Sequence, residues 1–103
     1  MDFKNVSVDK ISNTYFDGRV TSRNITFQDG SFKTLGVMLE GEFEFNTSKK
    51  EIMEITSGEL DVCLANSSNW ITYTDNSSFE VPANSSFKVK VKKITNYCCS
   101  YID

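Results

Sequence analysis

No histidine occurs in the 103 residues of this chain. That absence removes the imidazole ligands that usually hold iron, manganese, zinc or copper, and it removes every Ser-His or Cys-His arrangement for nucleophilic catalysis. Any chemistry must therefore come from carboxylates, hydroxyls and cations, and no resident metal or other cofactor is expected. Arginine is nearly absent as well, with Arg19 and Arg23 standing against nine lysines in a chain of net charge −3. There is no basic field for a nucleic-acid backbone and no polybasic segment for a membrane, so neither partner is expected. The sequence also lacks a Gly-rich phosphate loop, a G-x-S-x-G elbow and any cluster with metal-ligand spacing. Cys63, Cys98 and Cys99 form no C-x-x-C pair, and their odd number argues for free thiols serving as buried apolar filler. No apolar stretch approaches transmembrane length. The segment from Met1 to Asn13 carries Asp2, Lys4, Asp9 and Lys10 without the apolar run of a secretory signal, so the expected location is cytoplasmic.

What the chain does have is aromatic mass and alternation. Eight Phe, four Tyr and one Trp supply the large buried areas that a small domain needs. The length suits one domain, residues 1–103, in which residues 1–13 are the one potentially loose segment, although Phe3, Val6, Val8 and Ile11 offer apolar groups for docking. From Gly36 onward a period of two places Val37, Leu39, Phe43 and Phe45 on one face, with Met38, Glu40, Glu42 and Glu44 on the other. The same period returns in Leu60, Val62 and Leu64, and again in Phe87, Val89 and Val91. Shorter strands are expected at 18–23, 24–27, 53–57, 70–74, 79–81 and 97–102, separated by turns at Asp17-Gly18, Asp29-Gly30, Ser57-Gly58, 66–69, 75–78 and 82–86. Pro82, which has no amide donor, is expected to end the strand through Val81. Many short strands and no helix indicate an all-β sandwich or barrel.

Most charged residues in this pattern read as solvated faces. The rows Glu40, Glu42, Glu44 and Lys88, Lys90, Lys92 each alternate with an apolar row and suit an outer surface, with cross-strand pairing open to both. Glu51 differs, because its even spacing with Met53 and Ile55 puts all three on one side of a strand. If that side faces in, Glu51 is an inward carboxylate that needs a structural partner or a ligand. Arg19 and Arg23 are the only planar forks suited to phosphate or carboxylate. Tyr73, Tyr97 and Tyr101 offer rings and hydroxyls for a nucleobase or a ribose, and Tyr97, Cys99 and Tyr101 share one face at period two.

The run Gly36-Val-Met-Leu-Glu-Gly-Glu-Phe-Glu-Phe-Asn-Thr, followed by Glu51-Ile-Met-Glu-Ile-Thr-Ser-Gly58, resembles a first cupin motif whose histidines are gone, with Glu51-x6-Gly58 retained. A second motif is reduced to Phe79-Glu-Val-Pro82-Ala-Asn-Ser-Ser-Phe87. Together with Tyr15-Phe16-x-Gly18, Phe45-x-Thr47 and Glu51-x-Met53, these motifs resemble the pyrimidine/purine nucleoside phosphorylase family of small bacterial cupins over about residues 14–102. The resemblance implies a single cupin-type jelly-roll β-barrel, homodimeric, which cleaves purine and pyrimidine nucleosides with inorganic phosphate to free base and ribose 1-phosphate. One departure stands at the C-terminus: the family pattern Tyr-x-Cys-Arg-Tyr meets Tyr97-Cys98-Cys99-Ser100-Tyr101, with Ser100 in the arginine's place. Such a reaction needs cations or amides for phosphate, partners for the ribose hydroxyls and a means of meeting charge on the departing base. Arg19 or Arg23, Glu51 and a tyrosine are the candidates for these tasks in that order, with Glu51 as the catalytic residue. Two alternatives remain open from the residues: a non-catalytic, metal-free cupin that binds a small sugar, nucleotide or anion, and a dimeric scaffold with a filled cavity.

Overall fold

The computed structural model describes residues 1–103 and is built almost wholly of strands. In chain order they are β1 (Ser7–Val8), β2 (Asn13–Tyr15), β3 (Val20–Thr26), β4 (Phe32–Met38), β5 (Gly41–Asn46), β6 (Lys50–Leu64), β7 (Ile71–Thr74), β8 (Ser77–Val81) and β9 (Ser86–Ile102). One short 3-10 turn, Phe16–Gly18, separates β2 from β3.

Two long antiparallel strands, β6 and β9, form the spine and pair with each other from Lys50↔Ile102 to Leu64↔Phe87. Each also serves two walls. The first half of β9 takes β5 as its other neighbour and the second half takes β4. In the same way β6 takes β8 along its first half and β7 along its second. The first wall is extended through β3, to which β1 and β2 both pair. The change of wall occurs where the β6–β9 register shifts at Ser57–Glu59. Gly58 sits there with φ 120, and a Cβ on it would strike the side chain of Thr95 and the carbonyl of Ile94. Glycine is what lets the two backbones cross so closely at this corner. The hydrogen-bonded sheet remains open, with β7 at one end of its path.

Both walls bury one cluster of apolar side chains, including Val20, Met38, Phe43, Met53, Ile55, Leu60, Val62, Phe79, Val81, Phe87, Val89 and Val91. Ile55, Leu60 and Val81 are fully buried, so truncating Ile55 or Leu60 to Ala would cost about 2–5 kcal/mol through lost burial and cavity formation. All three cysteines are free and buried, as filler should be. No buried side-chain polar atom lacks a hydrogen-bond partner.

The charged rows meet on the outside. Register pairs Glu42 with Lys90 and Glu44 with Lys88, Lys92 lies 3.2 Å from Asp61, and the Lys90 ammonium lies 4.3 Å from the Trp70 ring centre. Alternating signs on neighbouring strands keep this face hydrated, and exposed pairs of this kind contribute little to stability.

Three sequence expectations need correction. The run from Gly36 to Phe45 is two strands, and the turn at Leu39–Gly41 reverses its facing: Met38 is 1 % exposed while Leu39 is 41 % exposed. Phe43 and Phe45 do face inward and Glu42 and Glu44 outward, but Val37 and Leu39 lie with the outward set. The two strands expected at 18–23 and 24–27 are one, β3 (Val20–Thr26). Likewise, the runs split at Ser57-Gly58 and at 92–96 are the bent middles of β6 and β9, where a bulge bends a strand without ending it. Pro82 does end β8 at Val81, and its carbonyl accepts a 2.6 Å hydrogen bond from the buried Thr47 hydroxyl. The segment ahead of β2 is held by the β1 pairing Ser7↔Thr26 and Val8↔Ile25 and by the Phe3 ring set edge-on to Phe27.

Candidate functional site

The first wall carries a polar interruption in its buried face. Along β3 the inward positions Val20 and Ser22 are both buried, and across the β3–β4 register Ser22 lies beside Gly36. Gly36 in turn pairs with Tyr97, Thr34 with Cys99, Met53 with Cys99 and Glu51 with Tyr101. Because alternation sends Tyr97, Cys99 and Tyr101 to one face, these rows place Ser22, Thr34, Glu51, Cys99 and both tyrosines around one space. That space is a cavity of about 140 Å³, walled also by Met38, Met53 and Phe87 and reaching Tyr15, Phe45 and Asn46 toward the outside.

Within it, Cys99 Sγ donates to Glu51 Oε1 at 3.5 Å, and the Thr34 and Tyr101 hydroxyls share a 3.1 Å hydrogen bond. The Tyr97 hydroxyl donates to the Thr21 carbonyl at 3.4 Å, its ring lying across the space that any side chain on Gly36 would occupy. Burial pushes the Glu51 carboxyl above the ordinary glutamate range, partly opposed by the Cys99 thiol donating to it. The Cys99 thiol is pushed up to about 12 by burial and by the neighbouring Glu51. It stays protonated and is no nucleophile at neutral pH. Burial raises Tyr97 and Tyr101 as well, so both remain phenols able to donate.

Of the residues expected to make a site, Glu51, Tyr97 and Tyr101 are brought together here. Tyr73 is not: it packs on Phe79 at 4.8 Å in the second half of the sandwich. Neither arginine lines the cavity. Arg19 donates to the Glu40 carbonyl beside the Phe43 ring, and Arg23 donates to the carbonyls of Asp9 and Lys10, at 3.3 and 2.7 Å. Arg23 borders a wider, more open depression of about 560 Å³ on the outer face, beside Leu35, Thr56 and Asn96. Ser100 alternates with the cavity-facing Cys99 and Tyr101 and pairs with Lys33 and Ile52, which puts it on the outer side of the sheet.

Ser22, Thr34, Tyr15 and Asn46 are cavity residues that reasoning from local patterns passes over. Their signal is faint: a small polar residue at an inward position of a strand whose other inward residues are apolar, as in Val20-x-Ser22 and Thr34-x-Gly36-x-Met38. As for a metal, the cavity offers one carboxylate and one thiol, and nowhere do three His, Cys, Asp or Glu side chains converge. That donor set does not fit the divalent ion usual in cupins, which needs three or four ligands. What the arrangement supplies is a dense set of neutral hydrogen-bonding groups around a single acid, suited to a polyhydroxylated molecule.

Comparison with solved structures supports the fold reading. A protein of unknown function from Acinetobacter sp. ADP1 superposes with a TM-score of 0.95 at 40% identity, with 98% of each chain covered. A cupin superfamily protein from Desulfitobacterium hafniense superposes at 0.65 with 17% identity, covering 82% of this chain and 78% of the other, so the two share an all-β cupin fold. In sequence, a protein of Sulfurovum sp. named pyrimidine/purine nucleoside phosphorylase is 59% identical over 100 residues, 97% of either chain. The family model of that description matches residues 10–101, and the chain therefore belongs to the pyrimidine/purine nucleoside phosphorylase family.

Proposed function

We propose that the protein is a nucleoside phosphorylase of broad specificity, cleaving purine and pyrimidine nucleosides with inorganic phosphate to free base and ribose 1-phosphate. The observation that carries this reading is the cavity around Glu51 in a chain of this family. Its hydroxyls match a ribose, the neutral and hydroxyl-rich part that all nucleosides share. Glu51 accepts hydrogen bonds from the sugar hydroxyls, and its ionised form stabilises the positive charge that develops on the sugar. A phosphate oxygen forms the new bond to the anomeric carbon as the bond from that carbon to the base nitrogen breaks. The electron pair leaves with the base, which takes up the proton that hydrogen phosphate loses on becoming the sugar ester. With no Lys or Arg among the lining residues, donors to the phosphate are hydroxyls such as those of Tyr15, Ser22 and Thr34.

The same lack of a cation favours a second reading, a non-catalytic cupin that binds a neutral sugar or nucleoside. Incubation with uridine or inosine, with and without phosphate, separates the two. Phosphate-dependent appearance of base and ribose 1-phosphate, unaffected by EDTA, is expected; folded protein that binds nucleoside without releasing base would favour the second. A cytoplasmic homodimer that needs neither nucleic acid nor membrane completes the proposal, and sedimentation of the purified chain tests the dimer. No helix of the protein is long and apolar enough to cross a membrane.

A further inference from the structure

The cavity is too small for a whole nucleoside. Its volume of about 140 Å³ falls short of the roughly 300–1,000 Å³ of pockets that enclose a drug-sized ligand. If the sugar lies among the hydroxyls, the base must project through the mouth. That mouth is aromatic. Tyr15 stands on β2, an edge strand, opposite the buried Val20, so it faces inward yet is 47 % exposed. Phe45 stacks on Phe87 at 5.3 Å and continues outward to the Phe16 ring, 5.6 Å away and edge-on at 86°. Phe16 also rests 5.0 Å from Phe43 and remains 43 % exposed.

The backbone under Phe16 is unusual. Phe16, Asp17 and Gly18 have φ of 52, 55 and 86, three consecutive left-handed residues, closed by a hydrogen bond from the Arg19 amide to the Phe16 carbonyl at 3.1 Å. A bulky aromatic residue adopts that region only where its surroundings over-determine it, and such outliers concentrate at ligand sites. Here the strained turn sets a large, partly exposed ring against Phe45, just outside the residues that line the cavity and next in the chain to Tyr15.

Resting on the phosphorylase reading of the cavity, we propose that Tyr15, Phe16 and Phe45 form a stacking platform for the nucleobase, with Phe16 the residue that sets the balance between purines and pyrimidines. The platform presents π-faces and no set of groups complementary to one base edge. It therefore accepts every base and ranks them by stacked area, which is how sequence-tolerant binding of bases works elsewhere. Asn46 is the lone side-chain amide at the rim.

Phe16→Leu tests this, because leucine keeps an apolar cover over Phe43 and Phe45 but has no aromatic face, and Phe16→Trp restores one. Calorimetric binding of adenosine, uridine and free ribose to each variant is the measurement. Phe16→Leu should weaken adenosine about tenfold, uridine less and ribose not at all, with Phe16→Trp recovering both nucleosides. Equal weakening of ribose and adenosine, or unchanged adenosine affinity in a Phe16→Leu protein of wild-type melting temperature, would overturn the platform and leave Phe16 as a cover for the core. Equal affinity of the wild-type protein for adenosine and ribose would overturn it too. Phosphate-dependent release of base, measured separately on the wild-type protein, tests the phosphorylase reading by itself, since the binding comparison needs no turnover.

Discussion

Cys99 donates its thiol hydrogen to Glu51 from 3.5 Å, so the one acid of the cavity has a buried neutral donor as its partner and no cation. The pairing leaves burial as the dominant influence on Glu51, and its pKa rises. In the folded protein the acid therefore binds its proton more tightly than in the unfolded chain. Stability from this group is then greatest below the unfolded pKa of about 4.3, falls as pH climbs from there to the raised folded value, and is level above it.

Glu51→Gln removes that pH dependence. Relative to wild type, the variant should gain thermal stability at neutral pH, and the gain should vanish below about pH 4. Its kcat/KM should drop by on the order of a hundredfold, because the charge stabilising the sugar is gone. Thermal melts across pH, set beside phosphorolysis rates, check both parts; a variant less stable than wild type at neutral pH would contradict the first.

Gly36→Ala should damage both fold and site. The added methyl competes with the Tyr97 ring and with the Thr21 carbonyl, and neither neighbour has room to retreat within a paired sheet. Overpacking of this kind costs about 1–3 kcal/mol, readable as a lower denaturant midpoint, with nucleoside KM rising as Tyr97 is displaced.

Arg23→Ala should leave kcat/KM within about twofold of wild type, as expected of a surface change away from the site. Its guanidinium is held by the Asp9 and Lys10 carbonyls on the outer face. The visible effect should be faster amide exchange ahead of β2, and a large fall in phosphate affinity would contradict this placement.

Ser100→Arg, which supplies the arginine that the resemblance implied at this position, should change turnover no more than about twofold, because position 100 alternates outward from the cavity face. A strong gain in activity would mean that the outer face reaches the substrate through a second chain.

Sequence periodicity was informative wherever one strand face is uniformly buried. The shared side of Glu51, Met53 and Ile55 and that of Tyr97, Cys99 and Tyr101 are both borne out, because a period of two needs no knowledge of partners. It misled at Leu39–Gly41, where a turn inside an apparently continuous alternation exchanged inside for outside. It was also silent about Ser22, Thr34 and Tyr15, whose place in the cavity depends on pairing with strands far along the chain. Arginine chemistry pointed toward phosphate, yet backbone carbonyls took both guanidiniums, and no local pattern records which carbonyls a fold leaves within reach.

The division of labour between long and short strands bears on how this enzyme family can diversify. β6 and β9 build much of the Glu51 cavity and much of the hydrophobic core at once, so a change in them alters stability together with whatever the cavity does. Of the three proposed platform rings, Tyr15 instead stands on β2, joined to its neighbour through three residues, and Phe16 on the left-handed turn that follows, while Phe45 belongs to β5. On the proposed platform, substitutions at Tyr15 and Phe16 would shift the preference among bases while disturbing the core only where Phe16 covers Phe43 and Phe45, which makes this edge the natural place to build libraries for new nucleoside analogues.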